Sequence, residues 1–216
     1  MKLLRTKTQL LATILLIGDS HTYQSFGRRL DARLRTLPQT AVASFASWGT
    51  SPAGWLEGAG GGTPFFEHDP DGRLVDVQSG GTPHFSELLA KYQPTLTIIA
   101  LGANLFGAPP EYSAETVHQM AAAVGQRQSA CLWVGPPDSR ERAGPPMDEL
   151  YGILRGASMP YCQFVDSRVW THYPATGGDG LHYDYLGPAG LEQTARWAQG
   201  VFDRVRDGSG LPDVFK

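Results

Sequence analysis

One stretch constrains this chain more than any other. The apolar, β-prone run Thr13-Ile14-Leu15-Leu16-Ile17 breaks off at Gly18-Asp19-Ser20-His21, and a polar, helix-capable segment follows at once. That is the pattern of a strand running into a tight turn and then a helix. A strand so uniformly apolar is expected to be buried on both faces, as in a parallel sheet covered by helices. Ser20 would stand exposed at the strand's carboxyl end, the edge where open α/β sheets bind ligands. The partial positive charge of a helix N-terminus favours a negative oxygen there. A serine at that place can act as a nucleophile if a base reaches it.

The rest of the chain alternates in the same manner. Residues 21–37 read as a helix with Phe26, Leu30, Leu34 and Leu37 on one face, ended by Pro38. A second strand is expected over 41–45, then a long glycine-rich loop over 48–63 that carries Trp48 and Trp55. The turn Asp69-Pro70-Asp71-Gly72 predicts a small hairpin over 65–77, an insertion of about 64–79, beside the site. Helices are expected over 85–92, 113–126 (with Ser113 as N-cap), 147–157 and 188–206, and strands over 95–101, 131–134 and 161–166. Alternating strands and helices predict a parallel sheet with helices on both faces. At 216 residues, a single domain spanning 1–216 is expected.

A base for Ser20 lies far down the chain. Asp179-Gly180-Leu181-His182 falls in a glycine-rich loop before the final helix, so one loop can present both side chains. Asp179 can fix the tautomer of His182, and the other ring nitrogen can accept the Ser20 proton. Gly49, in Ser47-Trp48-Gly49-Thr50, and Asn104, in Gly102-Ala103-Asn104, each follow an expected strand. A backbone N–H and a side-chain amide are suitable donors to an oxyanion. Blander readings stand beside these. Ser20 can be a helix N-cap only, Asp179 and His182 loop-capping residues, Gly49 a turn residue with Gly54 as rival donor, and Asn104 a left-handed structural residue. Asp166 and Asp184 are rival acids for His182. His21, directly after the nucleophile, reads as a helix-start or rim residue rather than a second base. Trp48 and Trp55 read equally as packing or as sugar-stacking faces.

The ordered blocks Gly18-Asp19-Ser20, Gly49, Gly102-Ala103-Asn104 and Asp179-Gly180-Leu181-His182 resemble the SGNH (GDSL-type) hydrolase family, in particular bacterial carbohydrate and acetyl esterases. The resemblance runs from near residue 12 to the helix after Gly187. His21 stands where the family often has leucine, and Leu105 where many members have aspartate. The resemblance implies a three-layer α/β/α, flavodoxin-like fold with five parallel strands in the order 2-1-3-4-5. It implies Ser20, His182 and Asp179 as a catalytic triad, and Ser20, Gly49 and Asn104 as an oxyanion hole. His21, Trp48 and Trp55 are candidate substrate-binding residues. If the fourth and fifth strands are neighbours in that order, Cys131 and Cys162 are level and can either bond or pack as thiols.

The reading that follows is a serine acyl-ester hydrolase acting on short acyl groups, acetyl above all, carried by a carbohydrate or cell-wall glycan. A lipase or thioesterase with the same machinery, an acyltransferase, and a non-catalytic glycan-binding module are the alternatives. The loop over 48–63 and the hairpin over 65–77 together carry Glu57, Glu67, His68, Asp69, Asp71, Arg73 and Asp76 among their apolar residues, which suits an alcohol-side wall with Trp48, Trp55, Phe65 or Phe66 as stacking faces better than an apolar lid. Net charge is -3 without a long run of either sign, which argues against nucleic acid as a partner. His68, His84, His118 and His172 lack metal-ligand spacing, so no metal and no cofactor are expected. The basic residues Lys2, Arg5 and Lys7 before the run 10–17 look like a short signal peptide, but the run is too short to span a membrane and is read as the first strand. A periplasmic or secreted setting is expected, with a cytoplasmic one as the alternative.

Overall fold

Along the first strand, β1 (Ala12–Gly18), successive side chains point to opposite faces. Leu15 and Ile17 enter one core with Phe45, Ile99, Trp133 and Met120, while Ile14 and Leu16 enter another with Phe26, Leu30, Ile98 and Trp197. All four β1 residues have 0% exposure. At about 1.5–3 kcal/mol for each large apolar side chain buried, this strand alone is a major source of stability. The computed structural model describes residues 12–58 and 60–208. Residues 1–11, on which the signal-like reading and the first residues of the run fall, lie outside the described residues.

The remaining elements, in order, are α1 (Ser20–Tyr23), α2 (Ser25–Leu34), β2 (Thr40–Ser47), α3 (Pro52–Glu57), β3 (Thr63–His68), β4 (Leu74–Gly80), α4 (Phe85–Tyr92), β5 (Leu96–Ala100), α5 (Pro110–Gln126), β6 (Ala130–Val134), α6 (Pro145–Ser158), β7 (Gln163–Val165) and α7 (Pro188–Arg206). The sheet runs β4-β3-β2-β1-β5-β6-β7. Strands β2, β1, β5, β6 and β7 are parallel, in the order the resemblance implied. Helices α2 and α7 cover one face, and α3 to α6 cover the other. Among the described residues no helix is long and apolar enough to cross a membrane.

Among the described residues the sheet has seven strands, not the expected five, and is mixed. The expected hairpin, β3 and β4, extends the sheet, β3 pairing antiparallel with β2 from Ser44 opposite His68 to Ser47 opposite Phe65. Pairing hides the free edge of β2, which otherwise would invite association with another chain. A buried polar knot fixes the hairpin to α2. Asp31 accepts from Ser44 Oγ at 2.6 Å and from Arg35, and meets His68 Nδ1 at 2.7 Å.

Three further expectations are corrected. The helix over 21–37 is two pieces, because Gln24 is extended (ψ -163°) and Ser25 restarts the helix while bonded to Asp184 through both its N–H and its hydroxyl. The loop over 48–63 contains α3, begun by Pro52 at its first turn, where a proline lacks nothing a helix needs. Pro110 likewise starts α5, so Ser113 lies inside the helix, buried, rather than capping it. Cys131 and Cys162 are bonded, with Cα atoms 4.3 Å apart, one residue before the paired positions Leu132 and Gln163.

Candidate active site

The strand register builds the site. Gly18 is level with Ala46 on β2 and with Ala100 on β5. The chain therefore leaves three adjacent strands at one height, and Ser20, Gly49 and Asn104 follow within two to four residues of that line. Gly18 is required at the first exit, since a Cβ there would lie 1.9 Å from the Thr22 hydroxyl oxygen. Asp19 then turns the chain, its Oδ1 accepting from the N–H of His21 at 3.0 Å.

The structure brings the three proposed catalytic side chains into one line. His182 Nε2 lies 2.9 Å from Ser20 Oγ, and His182 Nδ1 lies 2.6 Å from Asp179 Oδ2. Burial acts to raise the Asp179 carboxyl, but hydrogen bonds from the His182 ring and from the N–H groups of His182 and Leu181 outweigh it and hold the carboxyl at about 2. An ionised Asp179 only accepts, so Nδ1 carries the ring proton and Nε2 is free to accept from Ser20. Ser20 is 3% exposed rather than open at the turn, because His182 itself covers it. The turn beyond Ser20 is only four residues long, so its dipole is smaller than that of the long helix expected, and discrete donors carry more of the stabilisation of a negative oxygen.

The residues expected as such donors, Gly49 and Asn104, lie on the two neighbouring exits. Gly49 has φ +71°, a left-handed turn that glycine adopts without strain, and it is exposed. Asn104 Nδ2 donates to the Thr50 carbonyl at 3.1 Å, which ties the asparagine block to the residue after Gly49. The amide carries a second proton that this hydrogen bond does not use.

The three remaining candidates separate. Trp48 is half-buried and stacks on His182, ring centroids 4.9 Å apart and 27° between planes. Trp55 has 0% exposure and packs in the core beneath α3, so it offers no face to a substrate; Phe65 and Phe66 are buried as well. His21 starts the turn as expected but is buried, not on a rim. It lies 5.1 Å from the His182 ring and 5.9 Å from Trp197. Burial, with the His182 and Arg142 charges adding to it, pushes His21 down to about 3, so it stays neutral. Asp166 pairs with Arg168, and Asp184 binds Ser25, so neither rival acid reaches His182.

Sequence reasoning missed two residues that hold the site. Tyr173 Oη accepts from the N–H of Gly180 at 3.0 Å and lies 3.3 Å from both Asp179 Oδ1 and the His182 carbonyl, so it braces the loop that carries Asp179 and His182. Arg142 donates to the Ala103 carbonyl and lies over the Phe106 ring, bracing the turn that carries Asn104. Neither has a local sequence signal; each acts through a loop distant in the chain. Among the described residues no group of His, Cys, Asp or Glu is placed to hold a metal ion.

No protein-family model matches the chain, and no curated protein matches it in sequence. Solved structures do. An acetylxylan esterase from Geobacillus stearothermophilus superposes with a TM-score of 0.57 at 15% identity, over 90% of this chain and 95% of that one. TesA gives 0.58 at 17% identity, over 90% and 98%. The psychrotrophic esterase EstA from Pseudoalteromonas sp. gives 0.57 at 13% identity, over 92% and 99%. Identities this low speak to the fold alone, and in its fold this chain is similar to these esterases along nearly the whole length of each, as its four sequence blocks implied.

Proposed function

We propose that the chain is a serine acyl-ester hydrolase that removes short acyl groups, acetyl above all, from a carbohydrate or cell-wall glycan. The observation that carries the reading is the contact chain from Ser20 Oγ through His182 to Asp179, with both hydrogen bonds at 2.6–2.9 Å. Such a chain is what nucleophilic catalysis by a serine needs. A binding module has no use for it.

Ser20 Oγ attacks the ester carbonyl carbon while its proton passes to His182 Nε2. The carbonyl oxygen becomes an oxyanion held by the N–H groups of Ser20 and Gly49 and by the Asn104 amide. The bond to the alcohol oxygen then breaks, and the alcohol leaves with the proton from Nε2. Water attacks the acyl-enzyme, gives a proton to Nε2, and the carboxylic acid leaves as Ser20 recovers that proton. Asp179 stays ionised throughout and stabilises the imidazolium. The Cys131–Cys162 bond supports a periplasmic or secreted setting, since structural disulfides persist in oxidising compartments.

A second reading has one observation in its favour. A hollow of about 310 Å³, mostly apolar with Ser113 and Glu149 in its lining, begins at Leu105 and Phe106, directly after Asn104, and continues between Pro110 and Ile153. A hollow of that size and lining would take a longer acyl chain, as a lipase or thioesterase requires. The test is kcat/KM on p-nitrophenyl esters of rising length. Since a methylene is worth roughly 1–3 kcal/mol in a fitted pocket, the proposed function predicts a steep fall from acetyl to butyryl. A rate that climbs to octanoyl assigns the hollow to the acyl chain and the protein to the second reading.

A further inference from the structure

We propose that the alcohol side of the ester is a neutral, extended carbohydrate, seated in a groove that runs from His182 past Trp48 and Tyr23 to Arg28 and is buttressed by the β3–β4 hairpin. The proposal rests on the hydrolase reading and names where its substrate lies.

A leaving alcohol takes its proton from His182 Nε2, so it must lie against that imidazole. His182 has three aromatic neighbours besides its hydrogen-bond partners. His21 is buried and closes one side. Trp48 stacks on the ring at 4.9 Å, and Tyr185, 57% exposed, meets it edge-on at 5.8 Å. Trp48 and Tyr185 are thus the two aromatic neighbours open to solvent, and the alcohol leaves past them.

From Trp48 a chain of side-chain contacts leads on to Arg28. Tyr23 meets the Trp48 ring at 5.8 Å in a T-shaped contact. Tyr23 Oη donates to Asp76 on β4 at 2.9 Å, and Arg28 Nη2 donates to the other Asp76 oxygen at 2.8 Å. The Arg28 guanidinium also lies 3.8 Å above the buried Phe66 ring, which holds it flat. Beside these residues opens a hollow of about 450 Å³, lined by Tyr23, Gln24, Ser25, Arg28, Arg29 and Asp184. That is within the range of small-ligand sites.

The lining states the ligand's chemistry. It contains no aliphatic side chain, so it cannot hold a lipid tail. Its one carboxylate, Asp184, stands among two guanidiniums, Arg28 and Arg29, but Arg28 is already paired with Asp76 of the adjoining hairpin, so the four charges of the region match in number and it does not select a charged group. What it presents is a row of planar faces with paired donors and acceptors, the complement of sugar rings and their hydroxyls. The hairpin, whose β3 strand also supplies Phe65 to the core, has a second use here. Through Asp76 it holds Tyr23 and Arg28 in place before the ligand arrives, which lowers the ordering cost of binding.

The experiment measures acetate release from O-acetylated xylotetraose and cellotetraose, from the corresponding acetylated methyl monosaccharides, and from p-nitrophenyl acetate. It is run on the wild-type chain, on Arg28→Ala and Asp76→Ala, and on Arg196→Ala, an exposed residue of α7, as control. The groove predicts at least one tetrasaccharide to exceed its monosaccharide about tenfold or more in kcat/KM, the effect of one or two added polar contacts. It also predicts that Arg28→Ala and Asp76→Ala cut the tetrasaccharide rate about tenfold further than the p-nitrophenyl acetate rate, mainly through KM, while Arg196→Ala changes neither. Equal rates on tetrasaccharides and monosaccharides, or equal falls on all substrates in the variants with melting temperatures intact, overturn the groove and leave the hydrolase standing. Gln78→Ala, which removes an exposed donor to Tyr23 Oη, repeats the test where Arg28→Ala fails to fold. A wild-type chain that releases nothing from p-nitrophenyl acetate overturns the hydrolase reading itself, and the groove's role falls with it.

Discussion

Asp184 accepts hydrogen bonds from both the N–H of Ser25 (3.1 Å) and its hydroxyl (2.5 Å), across 159 residues of chain. The contact joins the segment that carries Ser20 to the loop that carries His182. Hydrogen bonds to a charged acceptor contribute about 1.5–3 kcal/mol each, less when partly exposed. Asp184→Ala is therefore expected to destabilise the protein by about 1–3 kcal/mol and to lower kcat, because the Ser20–His182 distance is no longer held from both sides. Urea unfolding and ester turnover on the same preparation check it; a variant as stable and as active as the wild type would show the contact to be incidental.

Asn104→Ala removes the proposed third oxyanion donor. Loss of one such donor lowers kcat about 10²–10³-fold with a smaller change in KM. Asn104 also donates to the Thr50 carbonyl, so a small loss of stability accompanies the kinetic effect. Steady-state kinetics together with a melting curve separates the two roles. A fall in melting temperature with kcat preserved would make Asn104 a structural residue.

Two carboxyls respond to pH in opposite directions. Desolvation, only partly offset by the His21 and Asp19 N–H groups and the Arg142 charge, raises Asp19 from 3.8 to about 7. A group raised on folding contributes stability that is complete below about 3.8 and is lost as pH rises through 7. Asp19→Asn, which cannot ionise and retains a capping oxygen, is thus expected to melt higher than wild type at pH 8 and close to it at pH 4. For Asp179, held at about 2, the stabilisation is present above 3.8 and is lost as pH falls through 2. Melting curves of the wild type and of Asp19→Asn and Asp179→Asn from pH 2 to 9 test the signs. An Asp19→Asn protein that melts lower than wild type at pH 8 contradicts the assignment for Asp19.

The disulfide closes a loop of sequence separation 31 between neighbouring strands. Restricting the unfolded chain in this way contributes typically 2–4 kcal/mol. The Cys131→Ser, Cys162→Ser double variant is expected to lose about that much stability and keep its ester turnover, since the bond lies in the core below the sheet's β6–β7 edge, away from Ser20. Thiol titration of the denatured, unreduced protein should find no free thiol; two free thiols in protein from an oxidising preparation would count against the bond.

Much of this architecture is written locally. β1, β5 and β6 are apolar runs ended by glycine, and α4 and α7 occupy the residues their apolar spacing indicates. The strand-end blocks are legible for the same reason, since each is a polar or glycine signal set against an apolar run. What escapes is non-local. The antiparallel pairing of β3 with β2 is a choice of sheet edge, which hydrophobic alternation does not encode. The break at Gln24 depends on Asp184, and the bracing roles of Tyr173 and Arg142 depend on loops brought near only by the fold. Trp55 misleads because a tryptophan in a glycine-rich stretch looks exposed until α3 turns it into the core.

The central claim is that Ser20 is the nucleophile, activated through His182 and Asp179. Because the Ser20 hydroxyl is the only atom removed, Ser20→Ala should fold and melt like the wild type. Burst and steady-state turnover of p-nitrophenyl acetate by wild type and Ser20→Ala is the direct measurement. The account predicts a wild-type acyl-enzyme trapped on Ser20 and a fall in kcat of ~10⁴ or more in the variant. A folded Ser20→Ala protein that turns over the ester at near the wild-type rate would contradict it.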